Sequence, residues 1–335
     1  MISMKKTLSA LLSFSIAACV CSVFPFSASS AGSLVKPASV TVQEATINMS
    51  AKEYMQKVAA TMTRDVPQSA KGQAEGSPQK FTYFSKKANR NKKANVWLPP
   101  GYTESKKYPV MYMNHGVFGN EDNMTGGFNV LEMATSLIKS GEAEPFILIF
   151  PQMYTDPQKE SPGFMDMNMN TMDRYDDFYY DLTESLMPYV EEHWSVKTGR
   201  ENTAIAGFSM GGRESLYCGL MAPDKIGYVC ASSPAPGIVP ASDSFIQNHL
   251  GSFKKDGVNR YKNEDFKFSD EELPYLLMIA GGTNDGTVGT FPKQYPELFD
   301  KNGTMNIWME VPGGGHDASV GTPIFYNFFK NVFKA

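Results

Sequence analysis

The sequence predicts an α/β fold, built on a mostly parallel central sheet of about eight strands with helices on both faces. Three observations lead there. From Lys80 onward, short β-type runs alternate with helical runs, as when strands are joined by helical crossovers. Gly207-Phe208-Ser209-Met210-Gly211 stands between an apolar run and a helical one. Two later strand-type runs end in glycine-containing loops that carry Asp285 and His316.

Strands are expected at 81–84, 94–98, 110–114, 146–150, 203–206, 228–231, 276–280 and 307–311, and helices at 130–140, 178–193, 210–221, 291–302 and 323–333. Two stretches resist assignment, 153–177 with its repeated Met, Asp and Asn, and 233–273, polar with scattered aromatics. Long insertions at strand ends are usually functional loops or lids.

At 335 residues, with 42% apolar and 20% charged residues, the chain can bury a substantial core, and one large domain is expected. A net charge of -4 with both signs interspersed offers no basic stripe, so nucleic acid is not expected as a partner. Residues 1–31 read as a signal peptide: Lys5 and Lys6, an apolar stretch over 8–26, then small residues with cleavage after Ala28 or Ala31. Ser9, Ser13, Ser15, Ser22 and Pro25 interrupt that stretch, and no other run nears the roughly 20 apolar residues of a membrane span. The expected location is therefore secreted or cell-surface, with no transmembrane domain in the mature protein. Ile16-Ala17-Ala18-Cys19 resembles a bacterial lipobox, which makes lipoprotein anchoring at Cys19 the alternative. Residues 32–79 read as an arm or linker with one short helix, opened by a capping box of Ser50 and Glu53, and 80–335 as the main domain. Whether the arm packs on that domain or spaces it stays open.

Outside the signal only Cys218 and Cys230 remain, which is no disulfide framework; two small buried side chains are expected. His115, His193, His249 and His316 are far apart and show no zinc-type spacing, so no metal site is expected.

The chemistry is concentrated in three places. Gly-x-Ser-x-Gly between strand and helix is the context of a nucleophile elbow, a sharp turn that lifts Ser209 above the sheet. Its glycines remove side chains that would strike the flanking strand and helix. A serine nucleophile needs a base, and the base an orienting acid; on an α/β-hydrolase fold the chain order is Ser, then Asp or Glu, then His. Only His249 and His316 follow Ser209. His316 lies in a glycine loop directly after a strand, whereas His249 falls in a polar insertion on what reads as a short surface helix. Asp285 follows a strand end, where open α/β sheets place their sites. Its rival Asp317 adjoins His316, and sequence neighbours rarely meet in triad geometry, so Asp317 reads as a loop-stabilising carboxylate. For the oxyanion hole, the Met210 N–H is one expected donor; the loop 114–119 supplies the other, Val117, with Phe118 as alternative. His115 reads as a buried imidazole bracing this loop. Phe118 is also a candidate substrate-binding wall.

These residues resemble the feruloyl and acetyl-xylan esterases, carbohydrate esterase family 1, and the related esterase-D-like α/β-hydrolases. The similarity runs from about Gln79 to the C-terminus through Leu98-Pro99-Pro100-Gly101-Tyr102, the His115-Gly116 loop, Ala204 to Gly212, Gly282-Thr283-Asn284-Asp285 and Gly313-Gly314-Gly315-His316-Asp317. It implies catalytic Ser209, Asp285 and His316, no cofactor, and plant cell-wall polysaccharide esters or small acyl esters as substrates. Phe118 departs from the family, whose loop more often carries glycine there, and Met113-Asn114 replaces a paired leucine. Feruloyl esters are the first expected substrate. The alternatives are an acetyl-xylan esterase or acyltransferase on the same scaffold and, from another class, a carbohydrate-binding protein on a retired hydrolase fold.

Overall fold

The computed structural model describes residues 49–241, 249–252 and 260–335. The expected signal peptide with Cys19, and residues 32–48 of the arm, lie outside the described residues. Among the described residues ten strands occur: β1 Gln79–Ser85, β2 Arg90–Trp97, β3 Val110–Asn114, β4 Ile147–Pro151, β5 Thr203–Phe208, β6 Tyr228–Ser232, β7 Pro240–Ala241, β8 His249–Leu250, β9 Leu276–Gly282 and β10 Ile307–Val311. Eight of them form one sheet in the order β1-β2-β4-β3-β5-β6-β9-β10. The first two pairings, β1 with β2 and β2 with β4, are antiparallel, and all from β4 onward are parallel. In register, Tyr112, Ile205, Val229 and Leu277 form one row across the centre.

β3, β4 and β6 are buried along their whole length, as continuous apolar strands covered on both faces must be, whereas the edge strand β10 alternates. The helices are α1 Ala51–Thr61, α2 Val130–Lys139, α3 Met169–Asp176, α4 Phe178–Asp181, α5 Met187–His193, α6 Met210–Met221, α7 Gln294–Lys301 and α8 Ala318–Asn331. α6 packs on β5 and β6 with α3 and α4 against it; α8 packs on β6 and β9 with α2 beside it, and α1 meets β9.

The departures from expectation have local causes. The helix expected over 178–193 is continuous but widens into a π turn at Leu182–Leu186, just before Pro188, whose missing N–H and bulky ring disturb a regular α ladder. α8 begins at Ala318 rather than 323, because Asp317 caps it by accepting the Ser319 N–H at 2.8 Å. His249 lies on the short strand β8, paired with β7, and not on a surface helix. The insertion after β4 contains α3 and a 3₁₀ turn at Phe164–Asp166.

From Met49 the arm is packed on the body. Ser50 and Glu53 form the expected capping box; Tyr54, Met55 and Val58 are buried, and the Tyr54 hydroxyl donates to the Asn331 carbonyl on α8. Asn327 exchanges two hydrogen bonds with the Thr63 backbone, and the Trp97 indole donates to the Glu75 carbonyl at 2.9 Å. Cys218 and Cys230 are free and buried, as expected.

A buried polar knot fixes the antiparallel flank. Lys92 and Asp181 are both fully buried, 2.6 Å apart, and the Tyr83 hydroxyl donates to the same carboxylate oxygen at 2.7 Å. Thr155 takes a second Lys92 hydrogen bond at 2.9 Å. Lys92→Met should cost about 3 to 5 kcal/mol, because it strands a buried carboxylate, and Asp181→Leu added to it should recover part of that loss. Urea unfolding of both variants checks this; a single-variant loss below about 1 kcal/mol would show that the pair does not hold this flank.

Candidate active site

β5 ends at Phe208, and the next residue, Ser209, has φ 57° and ψ -118° before α6 begins at Met210. That conformation is disfavoured for any residue with a side chain and survives only where the surroundings enforce it. Here they do. The Ser209 N–H donates to Ser232 at 2.9 Å, and its carbonyl accepts from Arg213 and Ala235, each at 3.0 Å. A Cβ on Gly211 would stand 2.6 Å from the His115 carbonyl oxygen, and one on Gly207 would stand 2.8 Å from the Asn114 Cβ. Only glycine allows the end of β3 and the start of α6 to approach so closely.

The loops after β9 and β10 converge on this point. Asn284 N–H donates to the Gly314 carbonyl at 2.9 Å, joining the two loops backbone to backbone. Asp285 Oδ1 accepts the Thr287 and Val288 N–H groups at 2.9 and 3.0 Å, which leaves Oδ2 facing His316 Nδ1 at 2.7 Å. His316 Nε2 lies 2.9 Å from Ser209 Oγ. With Nδ1 donating to the carboxylate, Nε2 is free to accept the serine proton. The Asp285 side chain is fully buried, and His316 keeps 14% exposure. Residues far apart in the chain are thus brought into one relay, while Asp317 points elsewhere, as the cap of α8.

The loop after β3 is also ordered. A Cβ on Gly116 would lie 3.6 Å from the Ser209 Cβ, so the loop passes beside the serine. The Gly119 N–H closes a turn onto the Gly116 carbonyl at 3.1 Å. Met210 opens α6, where the N–H lies outside the helical ladder. The Phe118 N–H, the alternative donor, is already engaged: it donates to the Tyr175 hydroxyl at 3.3 Å. The Phe118 ring faces the exposed Phe164 ring at 5.5 Å.

His115 is buried and braces this loop. Its Nδ1 donates to the Gly116 carbonyl at 2.7 Å, and its Nε2 accepts the Met153 N–H at 3.2 Å. Burial lowers its pKa to about 4, against the pull of its hydrogen bonds.

Sequence reading missed a buried cluster one turn behind the serine. The Arg213 guanidinium, wholly buried, donates to Asp176 at 2.6 Å, to its neighbour Glu214, and to Ser252 Oγ at 2.7 Å. One cation therefore faces two buried carboxyl groups, and burial pushes the Glu214 carboxyl up despite Arg213. The signal was available: an Arg-Glu pair at the start of a helix covered on every side must find partners indoors.

A mostly parallel eight-stranded sheet with a serine on a sharp turn between strand and helix defines an α/β-hydrolase fold. Residues 85–274 match the family model Esterase, described as "Putative esterase", and the chain belongs to that family. It is 29% identical over 158 residues to an endo-1,4-beta-xylanase/feruloyl esterase of Xylanibacter ruminicola, a match covering 46% of this chain and 21% of that protein. A second match, to endo-1,4-beta-xylanase Y of Acetivibrio thermocellus, is 29% identical and covers 42% of this chain and 13% of that protein. The chain thus spans only about a fifth or less of these relatives' length. Among solved structures, a CE1 ferulic acid esterase of Anaeromyces mucronatus, in complex with ferulic acid, superposes with a TM-score of 0.74 at 42% identity, over 81% of this chain and 97% of that one. An enterobactin esterase of Shigella flexneri shares the fold at 16% identity and a TM-score of 0.53.

The depressed His115 value carries a stability consequence. Between the ordinary 6.5 and about 4, the unfolded chain binds a proton that the folded chain refuses. The stability due to neutral His115 is complete above the unfolded value and drains away as pH falls toward the folded one. Urea midpoints measured from pH 7 to 4.5 should show the parent losing about 2 kcal/mol more than His115→Asn. Parallel pH profiles would refute the assignment of a neutral imidazole.

Proposed function

We propose that the protein is a serine esterase that releases feruloyl (hydroxycinnamoyl) groups from plant cell-wall xylan. Ser209 is the nucleophile, His316 the general base and then acid, and Asp285 the residue that orients the imidazole. The observation that carries this reading is the relay Ser209 Oγ to His316 Nε2 at 2.9 Å and His316 Nδ1 to Asp285 Oδ2 at 2.7 Å, at the C-terminal ends of the strands.

In the first half-reaction the serine oxygen bonds to the ester carbonyl carbon while its proton passes to Nε2. The carbonyl oxygen becomes an oxyanion, held by the Met210 and Val117 N–H groups. Such donors help most when they are fixed before charge develops, and each is worth roughly 10²- to 10³-fold in kcat. The tetrahedral intermediate collapses, the sugar oxygen leaves with the proton from His316, and the acyl group stays on Ser209. Water, deprotonated by the same imidazole, then releases the acid.

Two things support an aromatic acyl group: the 42% identity to a protein whose structure was solved with ferulic acid, and the Phe118 ring with Phe164 at the mouth of the loop. The Xylanibacter relative's xylanase/feruloyl esterase name supports a plant cell-wall setting. Within this reading residues 1–31 direct export, the chain acts outside the cell or at its surface, and 80–335 carry the chemistry.

Ser209→Ala should lower hydrolysis of methyl ferulate on the order of a million-fold with the fold intact by circular dichroism. Substantial turnover by that variant would move the nucleophile elsewhere. Phe118→Ala should reduce kcat/KM for methyl ferulate by about 3- to 10-fold more than for a short acetyl ester, in line with roughly 0.5 to 1.5 kcal/mol for an aromatic contact. Equal losses on the two esters would remove Phe118 from the acyl site. Parent turnover confined to acetylated xylan would replace the feruloyl reading with an acetyl one.

A further inference from the structure

The turn beside Ser209 contains a residue in the wrong place. Gly116 to Gly119 form a four-residue turn closed by Gly119 N–H to Gly116 O, and its third residue, Phe118, has φ 63°. With φ positive at that residue and not at Val117, the geometry is that of a type II turn, in which glycine or asparagine normally takes the third place. A phenylalanine would be more at ease with the central peptide, between Val117 and Phe118, flipped over, which returns φ to the negative region of a type I turn. Something outside the turn must hold that peptide.

Three side chains grip the turn from outside. His115 donates to the Gly116 carbonyl at 2.7 Å and Gln152 to the Gly119 carbonyl at 3.3 Å; these two secure its ends and leave the central peptide free to rotate. The third is Tyr175, on α3, whose hydroxyl accepts the Phe118 N–H at 3.3 Å. That N–H belongs to the central peptide. A flip would replace it with the Val117 carbonyl. Tyr175 itself has little freedom: it is fully buried, with its ring edge-on to Tyr154 at 5.1 Å, and burial keeps the phenol un-ionised.

We propose that Tyr175 is a positioning residue for ester hydrolysis. By accepting the Phe118 N–H it locks the central peptide of the 116–119 turn and keeps a phenylalanine in a conformation suited to glycine; Val117 is then held between two fixed peptides, the other being the Gly116–Val117 peptide whose carbonyl His115 grips and whose N–H serves the developing oxyanion. This rests on the reading of Ser209 as nucleophile and Val117 as oxyanion donor. Tyr175 acts through the turn rather than on the acyl group, so its effect belongs in kcat and is blind to the acyl chain.

The test is Tyr175→Phe, which removes one oxygen and keeps the ring, alone and combined with Phe118→Gly, assayed on a short acetyl ester and on methyl ferulate beside Ser209→Ala. The single variant should lose about 10-fold in kcat on both esters by the same factor, with KM within about two-fold. Adding Phe118→Gly should restore most of the kcat on the acetyl ester, because glycine holds a positive φ without an outside grip. An undiminished kcat, a loss confined to KM or to methyl ferulate, or a loss that glycine at 118 does not relieve would each overturn the proposal while an inactive Ser209→Ala leaves the nucleophile reading standing. An active Ser209→Ala would overturn both.

Discussion

The close approach of backbones around Ser209 is the constraint on which the rest of the site depends. A strand, a reversed turn and a helix meet the end of a neighbouring strand at distances that exclude even a methyl group at Gly207 and Gly211. Because that junction cannot move, the serine oxygen is presented at one place. The two loops from β9 and β10 are in turn fastened to each other through Asn284 and Gly314, so Asp285 and His316 arrive at that place as one unit. The geometry of the relay is inherited from main-chain packing, and the side chains have little left to adjust.

Behind this junction lies electrostatics of an unusual kind for a helix start. Arg213 reaches from α6 to Asp176 on α3 and to Ser252, just after β8, so a single buried cation ties the helix that follows Ser209 to both long insertions. A buried ion cluster is weak evidence for stability, since replacing it with apolar residues is often neutral. Its directional bonds are a better reason for its presence. They fix how the insertions sit relative to Ser209, and an apolar contact would leave that angle loose.

Much of this was legible in the sequence because it rests on local rules. All eight strands of the main sheet fall within a few residues of the runs read from the sequence, the inner ones because a strand buried on both faces has no other way to be written. The elbow and the two glycine loops could be read because the chemistry demands small residues at fixed offsets from strand ends. What stayed hidden depends on partners distant in the chain. Nothing local to Pro188 says whether the preceding helix breaks or widens. Tyr175 in its Asp-rich stretch reads like any other aromatic until folding brings it to Phe118. The start of α8 was misplaced because Pro323 is a good first-turn residue, and the Asp317 cap won over it.

Residues 49–78, ahead of β1, are less of an appendage than their composition suggests. α1 lies with Met55 and Val58 buried, the Thr63 backbone holds Asn327 of the last helix, and the Glu75 carbonyl accepts from the indole of Trp97. The beginning and the end of the described chain therefore complete one another's packing. Protease cleavage between residues 62 and 79 would do more than shorten a tail. It would unseat a helix from the sheet, bare an apolar strip beside α8 and free the terminal helix on the face of the sheet opposite α6, turning a silent nick into a solubility problem.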